Sequence, residues 1–154
     1  MYVISACLLG RDCKYNGGNN RNEQVVRFAE GHTICEVCPE TAGGLPSPRD
    51  PAEQREGRVI DRSGQDLTRA FQTGAERSLE KVLAAATACG EPLEGAILKA
   101  NSPSCGVDQI YDGSFTGALI PGDGFFAAAL KKRGVACCTE KTLGALSAET
   151  EKRK

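Results

Sequence analysis

Tryptophan is missing from this 154-residue chain, methionine occurs only at position 1, and the one histidine is His32. A single imidazole excludes any mechanism or metal site that needs two. Neither sign of charge prevails: 19 basic and 20 acidic side chains leave a net −1. That is too little for an overall field that holds a polyanion, so nucleic acid is disfavoured as the main partner. Long apolar runs are lacking too. The opening stretch MYVISACLLG is apolar, but it has no basic leader, and it is shorter than the roughly 20 residues a bilayer requires. These absences point to a cytoplasmic protein with no membrane association.

What the chain does have is cysteine, at positions 7, 13, 35, 38, 89, 105, 137 and 138. In the reducing cytosol a disulfide framework is disfavoured, so metal binding or thiol chemistry is the better use for them.

Four short runs rich in β-formers, Tyr2 to Ala6, Thr33 to Val37, Gly95 to Lys99 and Val135 to Cys138, read as strands. Leu67, Phe71, Ala75, Leu79, Val82, Leu83 and Ala86 are spaced for one face of a long helix with Asp66 as its N-cap. A second helix is expected from Asp123 or Gly124 to Lys132, and a weaker one from Asn22 to Glu30. Strands alternating with helices predict an α/β fold: a three-layer domain with a mainly parallel sheet of about four to five strands flanked by helices. It is expected to span residues 1–146, with 147–154 as a flexible tail. Val107 to Gly117 reads as a small hairpin around Asp112-Gly113. Residues 39–57, rich in proline and glycine and without apolar period, read as a long functional or disordered loop.

Cys7, Cys38 and Cys105 follow the first three strands. In an open α/β sheet the ligand crevice lies beyond the strands' carboxyl ends, so these thiols converge there, and Cys13 can join them from the next loop. Cys35, Cys89, Cys137 and Cys138 are expected to be small buried hydrophobes. Cys35-Glu36-Val37-Cys38 has C-x-x-C spacing, but its second cysteine leads into Pro39 and the long loop rather than a helix, so the redox reading is weak. Zinc generally takes four ligands from paired knuckles, and only one knuckle is present. Thiolates spread over several strand ends suit an iron–sulfur cluster better; with three ligands, one iron is left open as a Lewis acid matched to soft sulfur.

Glu40, two residues after Cys38, is a candidate general base, and Ser102, three before Cys105, a candidate proton relay or water-positioning group. The plainer alternatives are an ion pair from Glu40 to a cation such as Arg49, and local turn bonds from Ser102 and Ser104. For Arg49 the favoured partner is Glu53, within the same loop. Tyr15 and Tyr111 offer flat aromatic surface, Lys99 ends the third strand, and His32 is expected in a surface or capping role.

Taken together, Val3-Ile-Ser-Ala-Cys7-Leu-Leu-Gly10, Cys13-Lys-Tyr-Asn-Gly17, Cys38-Pro-Glu40, Gly43 to Glu53, Ile97-Leu-Lys99, Ser102-Pro-Ser-Cys-Gly106 and Ile110-Tyr-Asp-Gly113 resemble the thiouracil desulfidase family, in order and over nearly the whole chain to about Glu140. The resemblance implies a [4Fe-4S] cluster on three cysteines drawn from Cys7, Cys13, Cys38 and Cys105, of which the strand-end argument favours Cys7, Cys38 and Cys105. It implies catalytic parts for Glu40 and Ser102. The implied reaction converts a small thiolated base or nucleotide (2- or 4-thiouracil, or a 4-thiouridine nucleotide) to its oxo form without net redox, the sulfur passing to the cluster and leaving as sulfide. Iron–sulfur assembly machinery is the implied protein partner. The chain departs from the family at Lys14 and Asn16, and at Phe125-Phe126, a change expected to reshape the pocket. The alternative is a non-catalytic zinc-binding or thiol redox-sensing module built on the same loop thiols.

Overall fold

The structure, a computed structural model, describes residues 1–144, so the end of the expected domain and the tail over 147–154 lie outside the described residues. In chain order its elements are β1 (Tyr2–Ser5), α1 (Glu23–Glu30), β2 (Ile34–Val37), α2 (Pro39–Ala42), β3 (Ala52–Arg55), β4 (Arg58–Asp61), α3 (Thr68–Cys89), β5 (Gly95–Leu98), β6 (Gln109–Tyr111), β7 (Leu119–Pro121), α4 (Phe125–Lys132) and β8 (Cys137–Thr139). A 3₁₀ turn, Ala6–Leu9, follows β1 directly.

The main sheet has four strands in the order β2-β1-β5-β8, and every neighbouring pair is parallel. The α/β class read from the sequence is therefore what the chain adopts. Side chains alternate between two cores, as a pleated strand requires. Val3, Cys35, Val37, Ala96 and Leu98 face Ala75 and Val82 of α3 and Phe126, Ala127 and Leu130 of α4. Tyr2, Ile4, Ile97 and Cys138 face Leu8 of the 3₁₀ turn and Val25 of α1. Each large apolar side chain buried in this way contributes roughly 1.5–3 kcal/mol. Because all four strands run the same way, the segments that follow Ser5, Val37, Leu98 and Thr139 leave the sheet along one edge.

Several expectations need correction. The long helix starts one residue later than Asp66 as N-cap implied. Leu67 occupies that position and gives its N–H to Val59 O (2.7 Å), while the Asp66 carboxylate accepts from the Thr68 N–H (2.9 Å). Cys89, expected to be buried, is exposed in the last turn of α3. The stretch 39–57 is not a continuous loop. It begins as α2 and ends in a hairpin, β3–β4, that turns at Glu56 and Gly57, both at positive φ (52° and 80°). This hairpin buries Glu53, Gln54 and Asp61 along with Val59, so the apolar alternation that betrays a strand is missing from its sequence. The hairpin expected at 107–117 is wider: β6 pairs with β7, and Asp112-Gly113 lies in the connecting loop instead of forming a tight turn. Phe125 and Phe126 pack into the core, Phe125 edge-on to Phe71 at 6.4 Å, so they do not shape the pocket. Among the described residues, no helix is long and apolar enough to cross a membrane.

Candidate active site at the carboxyl edge of the sheet

Beyond the strand ends lies a cavity of about 500 Å³, and Cys7, Cys13, Cys38, Cys105, Glu40 and Ser102 all line it. The chain reaches it from three directions. Cys7 comes from the 3₁₀ turn after β1, Cys38 and Glu40 from the β2–α2 junction, and Ser102 to Cys105 from the segment after β5. None of these thiols is in a disulfide.

Contrary to the loop expected after it, Cys38 is the residue that caps α2, with Pro39 in the first turn. Its thiol is drawn down to about 6 by the neighbouring Cys13 side chain and by the Thr41 hydroxyl, which donates to it from 3.2 Å, while Cys13 O lies 3.9 Å from the same sulfur. The Cys13 thiol is pushed up by the same neighbour and by burial. Burial pushes up Cys7, against a lowering hydrogen bond with the Asn20 side chain. Burial also pushes Cys105 up to about 12. A thiol this far from water carries charge only when a cation takes it up.

Two glycines let α2 sit where it does. A Cβ on Gly74 of α3 would fall 1.9 Å from Pro39 O, and one on Gly43 would fall 2.1 Å from Ala70 O. The backbones of α2 and α3 therefore touch, which fixes the position of Cys38, Pro39 and Glu40 against the long helix.

Glu40 is held at both oxygens. Arg49 Nε donates to Oε1 at 3.3 Å, and the Ser104 hydroxyl donates to Oε2 at 2.9 Å. Arg49 was expected to pair with Glu53; its guanidinium instead takes Glu40, Cys13 O (2.9 Å) and Pro46 O (3.0 Å). Glu53 is occupied elsewhere, accepting from the Gly113 and Phe115 N–H groups at 3.0 and 3.1 Å. It thereby fastens the 112–118 loop, which brings Phe115 to the cavity. Ser102 makes the local turn bond expected of it, accepting from the Cys105 N–H at 2.8 Å. Ser104 does not, since it reaches across to Glu40.

Tyr15, Tyr111 and Lys99 also line the cavity. Lys99 is tied to Glu140 (3.3 Å), whose carboxylate accepts from the Ala100 N–H as well (2.8 Å). His32 lies apart, stacked on Phe28 at 4.1 Å with Nδ1 2.8 Å from Phe28 O, so it has the capping role expected of it. Residues that sequence reasoning missed are Arg62 and Phe115, which line the cavity, and Glu140, which holds Lys99. Only their position after a strand or beside a turn glycine could have drawn attention to them.

The sequence profile of the 2-thiouracil desulfurase family matches residues 2–142. The chain belongs to this family. It is 35% identical over 153 residues to YbbK of Bacillus subtilis (strain 168), a protein of uncharacterised function, with 93% of this chain and 97% of that one covered. Among solved structures the fold is similar to TudS, described as a [4Fe-4S]-dependent thiouracil desulfidase, with a TM-score of 0.81, 38% identity and 97% of each chain covered. The family likeness carried by the cysteine, CPE and SPSCG segments is thereby borne out.

Proposed function

We propose that this family member is a [4Fe-4S]-dependent desulfidase that replaces the sulfur of a small thiolated pyrimidine with oxygen from water. The observation that carries the reading is that Cys7, Cys38 and Cys105 line one cavity together with a carboxylate held at both oxygens. The relation to TudS supports the cofactor, and the donor set fits it: the thiols are soft, uncrosslinked and brought from separate strand ends. Cys7, Cys38 and Cys105 would hold the cluster, with Cys13 beside Cys38 at the cavity wall.

When bound, the cluster supplies a Lewis-acidic iron that no cysteine takes, suited to the soft sulfur of a thiocarbonyl. The protein's own groups do the rest. Glu40 removes a proton from water. A carboxylate has about four acceptor positions, and the bonds from Arg49 and Ser104 leave others free. Ser102 lines the same cavity and positions that water. Tyr15, Tyr111 and Phe115 offer flat surfaces for a pyrimidine ring. A carbon–oxygen bond forms, the carbon–sulfur bond breaks, and sulfur departs as hydrosulfide with no net change of oxidation state. General-base catalysis at Glu40 is worth roughly a hundred- to ten-thousandfold.

The zinc module is the weaker reading. Tetrahedral zinc at about 2.3 Å from each sulfur needs thiolates within about 4 Å of one another. Among the described residues, no three His, Cys, Asp or Glu side chains are grouped to hold a single metal ion.

The test is Glu40→Ala in anaerobically prepared protein. Wild type is expected to consume 2-thiouracil, and the variant to keep the cluster's visible absorbance while losing turnover. Loss of colour in the variant would make Glu40 a structural residue, and an inert wild type with a full cluster would overturn the reading.

A further inference from the structure

Ser104 is the point where the two halves of the site meet. It is buried to 2% exposure, and its hydroxyl lies 2.9 Å from Glu40 Oε2, 3.4 Å from Ser102 Oγ and 3.8 Å from Cys105 Sγ. Glu40 comes from α2 after β2, whereas Ser102 and Cys105 come from the segment after β5.

The direction of these bonds follows from the chemistry of the end groups. An ionised carboxylate only accepts and a backbone N–H only donates. The single Ser104 proton goes to Glu40, the nearest acceptor, over a distance normal for O–H···O, the Cys105 sulfur at 3.8 Å being much the longer contact. Ser104 Oγ can then meet Ser102 only as an acceptor, so the Ser102 proton turns toward Ser104. Ser102 has already accepted the Cys105 N–H at 2.8 Å, which leaves its second lone pair for the cavity. At 3.4 Å the Ser102–Ser104 contact is long, so the bond to Glu40 is the firm one.

Resting on the proposed desulfidase reading, we infer that Ser104 is a positioning residue that fixes the Glu40 carboxylate and orients the Ser102 hydroxyl as an acceptor for the attacking water. Arg49 holds the other oxygen of Glu40, so without Ser104 the carboxylate is free to pivot about a single anchor.

The experiment compares Ser104→Ala and Ser104→Thr with wild type at equal cluster loading. Ser104→Ala is expected to lower kcat on 2-thiouracil by about 10- to 100-fold with KM within about twofold, and Ser104→Thr, which restores the hydroxyl, to recover most of the rate. Crystal structures of the same proteins supply a readout independent of turnover: the Glu40 carboxylate rotates away from its position in the alanine variant and returns in the threonine variant. Unchanged kcat in Ser104→Ala, a rise in KM alone, or a Glu40 carboxylate that stays in place would overturn the assignment. Should wild type itself fail on thiouracil, the desulfidase reading falls, and the crystallographic comparison still decides whether Ser104 positions Glu40.

Discussion

Arg49 Nε stands 3.3 Å from Glu40 Oε1, and neither side chain is more than 18% exposed. A guanidinium that also holds Cys13 O and Pro46 O links the loop of Cys13, the 46–49 segment and the base in one contact set. Breaking a withdrawn ion pair from one side leaves the other charge uncompensated, which costs roughly 3–5 kcal/mol. Arg49→Ala is therefore expected to lower the urea midpoint of the protein strongly. Arg49→Lys, a point charge without the fork, should recover only part of it. Equal midpoints for Arg49→Ala and wild type would show the pair to be incidental.

The contact between α2 and α3 gives a second expectation. Gly74→Ala forces a methyl group against Pro39 O, and overpacking of this kind costs about 1–3 kcal/mol or more. Because Pro39 is flanked by Cys38 and Glu40, the variant should lose iron and activity along with stability. Denaturation and iron analysis of the same preparation check this. A variant with full iron content and wild-type stability would mean that α2 is not seated by this approach.

The thiols separate into two classes. Cys7→Ser, Cys38→Ser and Cys105→Ser are each expected to lose most bound iron and acid-labile sulfide. Cys13→Ser should retain them, because Cys13 comes from the loop beyond the 3₁₀ turn and not from a strand end. Iron and sulfide analysis of the four variants is decisive, and iron loss in Cys13→Ser with retention in Cys7→Ser would exchange their roles.

In cluster-free protein, pH distinguishes the same thiols. Cys38, drawn down to about 6 from 9.0 by the Cys13 side chain and the Thr41 hydroxyl, is a thiolate at pH 7 and becomes neutral as pH falls through about 6. Cys105, pushed up to about 12 by burial, stays protonated throughout. Iodoacetamide followed by peptide mass spectrometry should label Cys38 first, with a rate that drops on acidification toward pH 5, and Cys105 last. Faster labelling of Cys105 than of Cys38 at pH 7 would contradict the assignment.

Much of this site was legible in the sequence because its residues sit directly after apolar strands. The Tyr2, Ile34 and Gly95 runs announce themselves by β-branched and apolar side chains, and parallel topology then brings Cys7, Cys38 and the Ser102 to Cys105 segment to one edge. The β3–β4 hairpin was not legible, because its inward positions Glu53, Gln54 and Asp61 are polar; Glu53 and Gln54 are satisfied by segments distant in sequence and Asp61 by the Gln65 N–H. The partner of Arg49 was misread for a related reason. Proximity in sequence favoured Glu53, whereas the fold commits that carboxylate to the Gly113 and Phe115 N–H groups and leaves Glu40 to the guanidinium. Ser104 looked like a turn residue because nothing local shows that Glu40, on a separate element, lies within reach.

The most direct measurement of the central claim is turnover of 2-thiouracil by anaerobically prepared, cluster-loaded protein in ¹⁸O-labelled water. The account predicts uracil carrying one ¹⁸O atom and an equimolar amount of sulfide. Intact thiouracil beside an intact cluster, or uracil without the label, would contradict it.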